Sequence, residues 1–433
     1  MNNILKIILI FIFITSCSLD NKSKFWKNKK ITKTEKENIV EIFKKDKALN
    51  KELNPNLKIS FYSKGINKSF LNNFDNNNGR INYKGNLQNI SKFKFSKIEN
   101  FYQYDPEILF SEDNIIFFDN KGSILKFNDA SNLVWKKNYY TKLEKKLKPI
   151  LFFANSQKIL IITDNIAKYY ALDIDTGELL WSKNNTAPFN SQIKIHKDKF
   201  FVIDFQNILR AYSIYNGKEI WNIKTQSSLI RSQKKLSIVI VNDAIYFNNS
   251  IGDISSVDIE SGELTWQSPT QSSLVFDDGF FLKTSDIIAD IDTLYFSNNK
   301  NQFFSIDIKT GSLNWKQKVN SSLRPTLIDN YIITISTEGY LIIIEKISGN
   351  IIRITDIFEN IKPKVRAKIK PTGFIVGNDN IYLTTDHGRL LVIDIVEGKT
   401  KSIIKLNNNK ILRPSVLKQN LFIVTDKSII KLN

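Results

Sequence analysis

Residues 171–181 read Ala-Leu-Asp-Ile-Asp-Thr-Gly-Glu-Leu-Leu-Trp, and this stretch decides how the remaining chain is to be read. Alternating residues up to Asp173 predict a strand. Asp173-Ile174-Asp175-Thr176-Gly177 predicts a type I turn followed by a bulge, with glycine where φ is positive. Leu179 to Trp181 then resumes an extended segment. The pattern returns as AYSIYNGKEIW at 211–221, SVDIESGELTW at 256–266 and SIDIKTGSLNW at 305–315. Weaker copies are KFNDASNLVW at 126–135, with Ser131 in the glycine's place, IIEKISGNIIR at 343–353 and VIDIVEGKTKS at 392–402. The turn positions 131, 177, 217, 262, 311, 349 and 398 recur about every 44–45 residues, the spacing of a propeller blade. Runs such as Ile159–Ile162 and Leu341–Ile344 fit its inner strands.

A four-stranded blade cannot bury both faces by itself. Trp135, Trp181, Trp221, Trp266 and Trp315 fall at one register on the strand after the turn, so they are expected to pack between blades. Full burial would make each worth about 3–5 kcal/mol on truncation to Ala. Asp173, Asp258, Asp307 and Asp394 recur in register as well and are assigned to the turn. The last segment, 411–433, supplies three strands of a blade and stops. An alternating segment at Phe93–Ile98 can supply the fourth, joining the two ends of the ring and removing two sheet edges. The expectation is an all-β, eight-bladed propeller of four-stranded antiparallel blades at 86–433, preceded by a signal peptide at 1–16 and a polar tether at 17–85.

Composition narrows the chemistry. The 433 residues include one Cys, two His and a net charge of +19. One Cys excludes an internal disulfide and cysteine-rich zinc or iron–sulfur sites. No nucleotide, zinc-protease or hydrolase motif is present. His196 and His387 each read as turn residues, and Arg324-Pro325 and Arg413-Pro414 as openings of equivalent blades. No catalytic residue, metal or cofactor is therefore expected. Only 8 of the 62 basic residues are Arg, a skew that coding bias explains, and no nucleic-acid partner is inferred from the charge.

At the N-terminus, Lys6 precedes an apolar run from Ile7 to Ile14, too short to span a bilayer and of signal-peptide length. Ile14-Thr15-Ser16-Cys17 resembles the bacterial lipoprotein signal, with Thr15 where a small Ala or Ser is usual. That resemblance makes Cys17 the lipid-bearing residue, and Ser18 after it implies the outer membrane. Residues 21–60 carry 12 Lys against 5 acidic residues, a charge suited to anionic lipid.

The D-x-x-[TSN]-G-x-x-x-W repeat resembles that of the quinoprotein-like eight-bladed propellers. Two branches matter. One is the pyrroloquinoline-quinone alcohol dehydrogenases, which are longer and carry a cysteine pair and a calcium site. The other is the BamB lipoproteins of the outer-membrane β-barrel assembly (BAM) complex, which match in length, single propeller and anchor. The BamB resemblance implies a non-enzymatic, monomeric scaffold on the periplasmic face of the outer membrane. It would dock on the periplasmic repeats of BamA, meet the other complex components and assist unfolded outer-membrane clients. It also implies partner-binding residues. Ser228-Leu229-Ile230-Arg231-Ser232 resembles the family's Leu-x-Leu-Arg-Gly stretch, and Ser285-Asp286-Ile287 its Ser-Asp-[Ile/Val] stretch. Leu229, Arg231 and Asp286 would then face the partner from one rim, with Asp286 orienting Arg231.

Overall fold

A computed structural model of the chain describes residues 49–63, 80–226, 232–270 and 281–433. Cys17, the signal peptide, Leu229 and Arg231 lie outside the described residues. All described residues belong to one unit, Lys47–Asn433. It consists of eight four-stranded antiparallel sheets forming an eight-bladed propeller. Blades 1 to 7 take consecutive strands at 109–137, 151–184, 194–224, 238–268, 288–317, 326–356 and 371–405. Blade 8 combines Ser415–Leu417, Asn420–Val424 and Ser428–Leu432 with Asn89–Lys94, pairing Lys94 with Ser428 and Phe93 with Ile429. No helix among the described residues is long and apolar enough to cross a membrane.

Blade 2 shows why the sequence builds this unit. Its strands are Leu151–Ser156, Ile159–Asp164, Lys168–Asp173 and Leu179–Asn184. Leu160, Ile161 and Ile162 are all buried, although successive residues of a strand point to opposite faces. Both faces are therefore covered, each by a neighbouring blade. The outermost strand is exposed except at the half-buried Trp181. In the turn before it, Asp173 Oδ1 accepts from the N–H groups of Asp175 at 3.0 Å and Thr176 at 2.8 Å. Gly177, at φ 72°, donates its N–H to the Asp173 carbonyl at 2.8 Å. Pairing slips by one residue between Ala171 and Leu172, and the same slip recurs in the other six blades of this type. In blade 1, Ser131 keeps the positive φ, 64°, a backbone state that costs a non-glycine residue about 1 kcal/mol.

Each of the five described tryptophan rings lies on the turn glycine of the following blade. A methyl group on Gly262 would fall 2.5 Å from the Trp221 ring, and one on Gly311 would fall 2.6 Å from Trp266. Gly177 stands in the same way over Trp135. Indole nitrogens of Trp181, Trp266 and Trp315 donate to the carbonyls of Ile214, Ile308 and Lys346, at 3.0, 3.2 and 3.1 Å. Those carbonyls stand at one register, three residues ahead of Gly217, Gly311 and Gly349.

Between blades 6 and 7 the pattern changes. Arg353 occupies the tryptophan's position and has no exposed surface. Its guanidinium donates to the Ile395 carbonyl at 3.3 Å, again three residues ahead of a turn glycine, Gly398. It also donates to the Val396 carbonyl and, at 2.8 Å, to the carbonyl of Leu57. Leu57 belongs to an N-terminal strap, residues 49–63, laid along the outer strand Ile351–Asp356. Leu53 exchanges backbone hydrogen bonds with Ile354 at 3.1 and 2.9 Å. Ile59 is buried, and its N–H reaches the Val396 carbonyl at 3.2 Å. The N–H groups of Tyr62 and Ser63 end on the Asp329 carboxylate at 2.7 and 3.0 Å. Farther on, Ile81 bonds Val376, and the buried Tyr83 ring meets Tyr382 edge-on at 5.0 Å. The described parts of 17–85 are thus bound to the rim of the propeller, because their alternate residues are apolar and their backbone finds open strand edges.

Candidate functional site

In an antiparallel blade, the loop from the outer strand to the next inner strand lies at one end, together with the hairpin between strands two and three. Those loops bring a set of charged residues to the propeller axis. Glu107, Gln192, Asp286, Arg324 and Arg413 each stand two residues ahead of an innermost strand, those beginning at Leu109, Lys194, Ile288, Thr326 and Ser415. Equivalent positions in successive blades become neighbours around the channel. Asp105, Lys234, Lys235 and Lys410 join them from the same loops.

Ion pairs cross between blades. Arg324 Nε lies 2.7 Å from Asp286 Oδ2, and Arg324 Nη2 reaches Glu107 Oε1 at 3.2 Å. Lys235 Nζ lies 3.0 Å from the same Glu107 oxygen. Asp105 accepts from Lys410 at 2.7 Å and Lys234 at 3.2 Å. Arg324, Lys235 and Asp286 are all buried. Burial alone would raise the Asp286 pKa, but Arg324, Lys235 and Lys234 reverse this and hold the carboxyl well below the usual carboxylate range. Asp105 is held down in the same way by Lys234 and Lys410 against its burial. Breaking one such pair from one side would leave a buried charge alone, at about 3–5 kcal/mol.

Above these pairs lies a vestibule of about 620 Å³, lined by Tyr102, Lys234, Phe281, Lys283, Lys370 and Lys410 among others. Tyr102 and Phe281 expose 56% and 66% of their surface, an aromatic rim on a basic mouth. Exposed aromatics of this kind are enriched among the anchors of protein interfaces.

Asp286 lies beneath the mouth, and among the described residues the arginine it holds is Arg324; the expected pairing with Arg231 lies outside the described residues. The adjacent blade presents Arg324 at the equivalent position, so the two side chains meet at the axis. Leu229 and Arg231 fall outside the described residues, while their flanks are at this end. Ser232 Oγ donates to the Leu282 carbonyl at 2.5 Å, and the Gln226 carbonyl accepts from Asn207 at 3.0 Å. Arg324 and Arg413, read from sequence as blade openings, turn out to be channel residues. Sequence reasoning missed Asp105, Glu107, Lys234 and Lys235. The signal was there: a polar or charged residue two places ahead of the inner strand in five of the eight blades.

A calcium-bound quinone, the chemistry of the dehydrogenase branch, would need free oxygen ligands at the axis. Asp105, Glu107 and Asp286 are already held by lysine or arginine, so these residues do not fit that group. Among the described residues no three of His, Cys, Asp or Glu gather as a metal site.

The family model described as outer membrane protein assembly factor BamB matches residues 120–355. No curated protein matches the sequence. Among solved structures, BamB from Moraxella catarrhalis is similar at 16% identity, covering 80% of this chain and 99% of that one, with a TM-score of 0.65. Quinohemoprotein alcohol dehydrogenase from Comamonas testosteroni is similar at 9% identity, covering 82% and 78%, with a TM-score of 0.62. A europium-containing methanol dehydrogenase follows at 12%, covering 79% and 86%, with a TM-score of 0.59. At such identities these structures speak to the fold alone. The match of the family model covers more than half of the sequence, and on it the chain belongs to the BamB family of outer membrane protein assembly factors, as a scaffold propeller and not an enzyme.

Proposed function

We propose that this chain is a lipid-anchored subunit of the outer-membrane β-barrel assembly machinery, on the periplasmic face of the outer membrane. Its axial mouth docks on the periplasmic repeats of BamA, and the complex assists insertion of outer-membrane clients. One observation supports this reading above the others. The loop that carries Leu229 and Arg231 and the loop that carries Asp286 are successive outer-to-inner connections, so both emerge at the end that bears the basic, aromatic mouth. In this reading Leu229 and Arg231 touch the partner. Asp286 fixes Arg324 and shapes the floor of the mouth. Cys17 bears the lipid.

Capture of BamA and the other assembly lipoproteins from detergent-solubilised membranes tests the proposal. Wild-type chain recovers them, and Arg231→Glu loses most of that recovery with the unfolding temperature unchanged. Cys17→Ser moves the chain to the soluble fraction. Recovery of no assembly component by the wild type would sink the reading. A large stability loss in Arg231→Glu would make that residue structural.

A further inference from the structure

Five cations at the axis, Lys234, Lys235, Arg324, Lys410 and Arg413, face three carboxylates, Asp105, Glu107 and Asp286. Four of the cations are accounted for by the ion pairs above. Arg413 is not. Its Nε donates to the Phe374 carbonyl at 2.9 Å, and among the described residues no carboxylate pairs with it. Its side chain lines a cavity of about 60 Å³ beneath the vestibule, next to Arg324, Thr372 and Ser415. That is room for roughly four to six water-sized positions. The side chain enters across Gly373, where a methyl group would fall 2.4 Å from Arg413 Cβ, so the inner strand of blade 7 leaves it a passage. Burial, and then the like charge of Arg324, push the Arg413 pKa down to about 9, against the pull of Asp286 and Glu107. A partly buried guanidinium that no carboxylate pairs directly, in a cavity where cations outnumber carboxylates, is an arrangement that takes up an oxyanion.

We propose that the axial cavity is a binding site for a small oxyanion of the carboxylate or phosphate class, held by the Arg413 fork with Arg324 beside it. The anion supplies the charge that the channel lacks and ties blades 6, 7 and 8 together at the axis. The same chemistry could arrive as a free solute or as an acidic group on a partner chain.

Calorimetric titration of the purified full-length chain with malonate and with inorganic phosphate tests this, alongside thermal unfolding at matched ionic strength. Both probes should bind and raise the unfolding temperature beyond what sodium chloride does. Arg413→Gln should weaken binding by about tenfold or more. Without anion it should unfold at or above the wild-type temperature, since a partly buried charge repelled by Arg324 is gone. Arg413→Met, of similar length, serves if the glutamine variant does not fold. Displacement of malonate by a short peptide ending in two glutamates would assign the anion to a partner chain, and failure to displace it would assign it to a free solute. Stabilisation no greater than that from chloride, or undiminished binding by both variants, would overturn the proposal. The docking reading is judged separately, by BamA capture.

Discussion

The seams sealed by tryptophan and the seam sealed by Arg353 solve one packing problem in two ways. At Trp181, Trp266 and Trp315 one ring covers the next blade's turn glycine, and one N–H meets one carbonyl. That seal is complete within two blades. Arg353 reaches the equivalent carbonyl, of Ile395, but brings further donors and a charge into the same slot. A buried guanidinium needs those donors satisfied. The Leu57 carbonyl of the strap satisfies one, and the strap covers the slot from outside. A single exchange of residue type thus recruits a distant part of the chain. The seam becomes a three-body contact in which the strap, blade 6 and blade 7 depend on each other.

That difference can be broken experimentally. Arg353→Ala should cost about 3–5 kcal/mol, because it leaves a cavity and takes the guanidinium's donors from the Leu57, Ile395 and Val396 carbonyls, of which Val396 keeps the Ile59 N–H. Trp266→Ala should cost less, about 2–3 kcal/mol, because its ring is only half-buried. Denaturant unfolding of both variants checks the order, and equal losses would erase the distinction. Deletion of residues 49–63 should cost about 2 kcal/mol in the wild type, from lost edge hydrogen bonds and the buried Ile59. In an Arg353→Trp background the same deletion should cost well under half of that, since an indole does not need the Leu57 carbonyl. Additive losses in that cycle would show the strap to be independent of the residue it covers.

Glycine substitutions sharpen the comparison further. Gly262→Ala meets both a positive φ of 76° and the Trp221 ring, and should cost about 1–3 kcal/mol. Gly398→Ala meets a φ of 74° but, in place of a ring, the end of the Arg353 side chain and the Thr355 hydroxyl, and should fall at the lower end of that range. Equal unfolding temperatures for the two variants would contradict a rigid ring in one seam and a yielding chain in the other.

The smallest effect is on pH. Hydrogen bonds within the turns lower the pKa values of Asp173 and Asp258, chiefly from backbone N–H groups, and of Asp307, chiefly from the Thr310 hydroxyl. Their folded pKa lies below the unfolded one, so what they contribute is present above about pH 4 and is lost as pH falls further. Blade 1 has Asn128 at that place, with its Oδ1 accepting from Asn132 N–H at 2.9 Å, and should not respond. Asp164 runs the other way. Burial raises its pKa to about 6, against a Tyr140 hydroxyl that donates to it at 2.5 Å. Its contribution is present below about pH 4 and declines as pH rises through 6. Amide shifts of Thr176, Asn132 and Lys168 followed from pH 7 to 3 separate the three behaviours.

The blade and its turn were legible because they are local. Asp-x-x-Thr-Gly-x-x-x-Trp encodes a turn, a bulge and a ring within a dozen residues, and its recurrence counts the blades. The axial mouth was less legible. Asp286 could be picked out, but its partner Arg324 is 38 residues away and became a neighbour only through the geometry of the ring. Arg353 looked like a degenerate copy of the repeat. Its role depends on Leu57, 296 residues distant.

Periodicity, turn chemistry and the lone Cys17 follow from residue types and their spacing, and these decide the number of blades and the expected anchor. Which charges pair across the axis, which cation is left over and where the N-terminal strap lies were decided by closure of the chain into a ring. Closure sets residues from separate repeats within a few ångströms of each other in a site poor in water. There burial amplifies each charge, and each donor must find its acceptor.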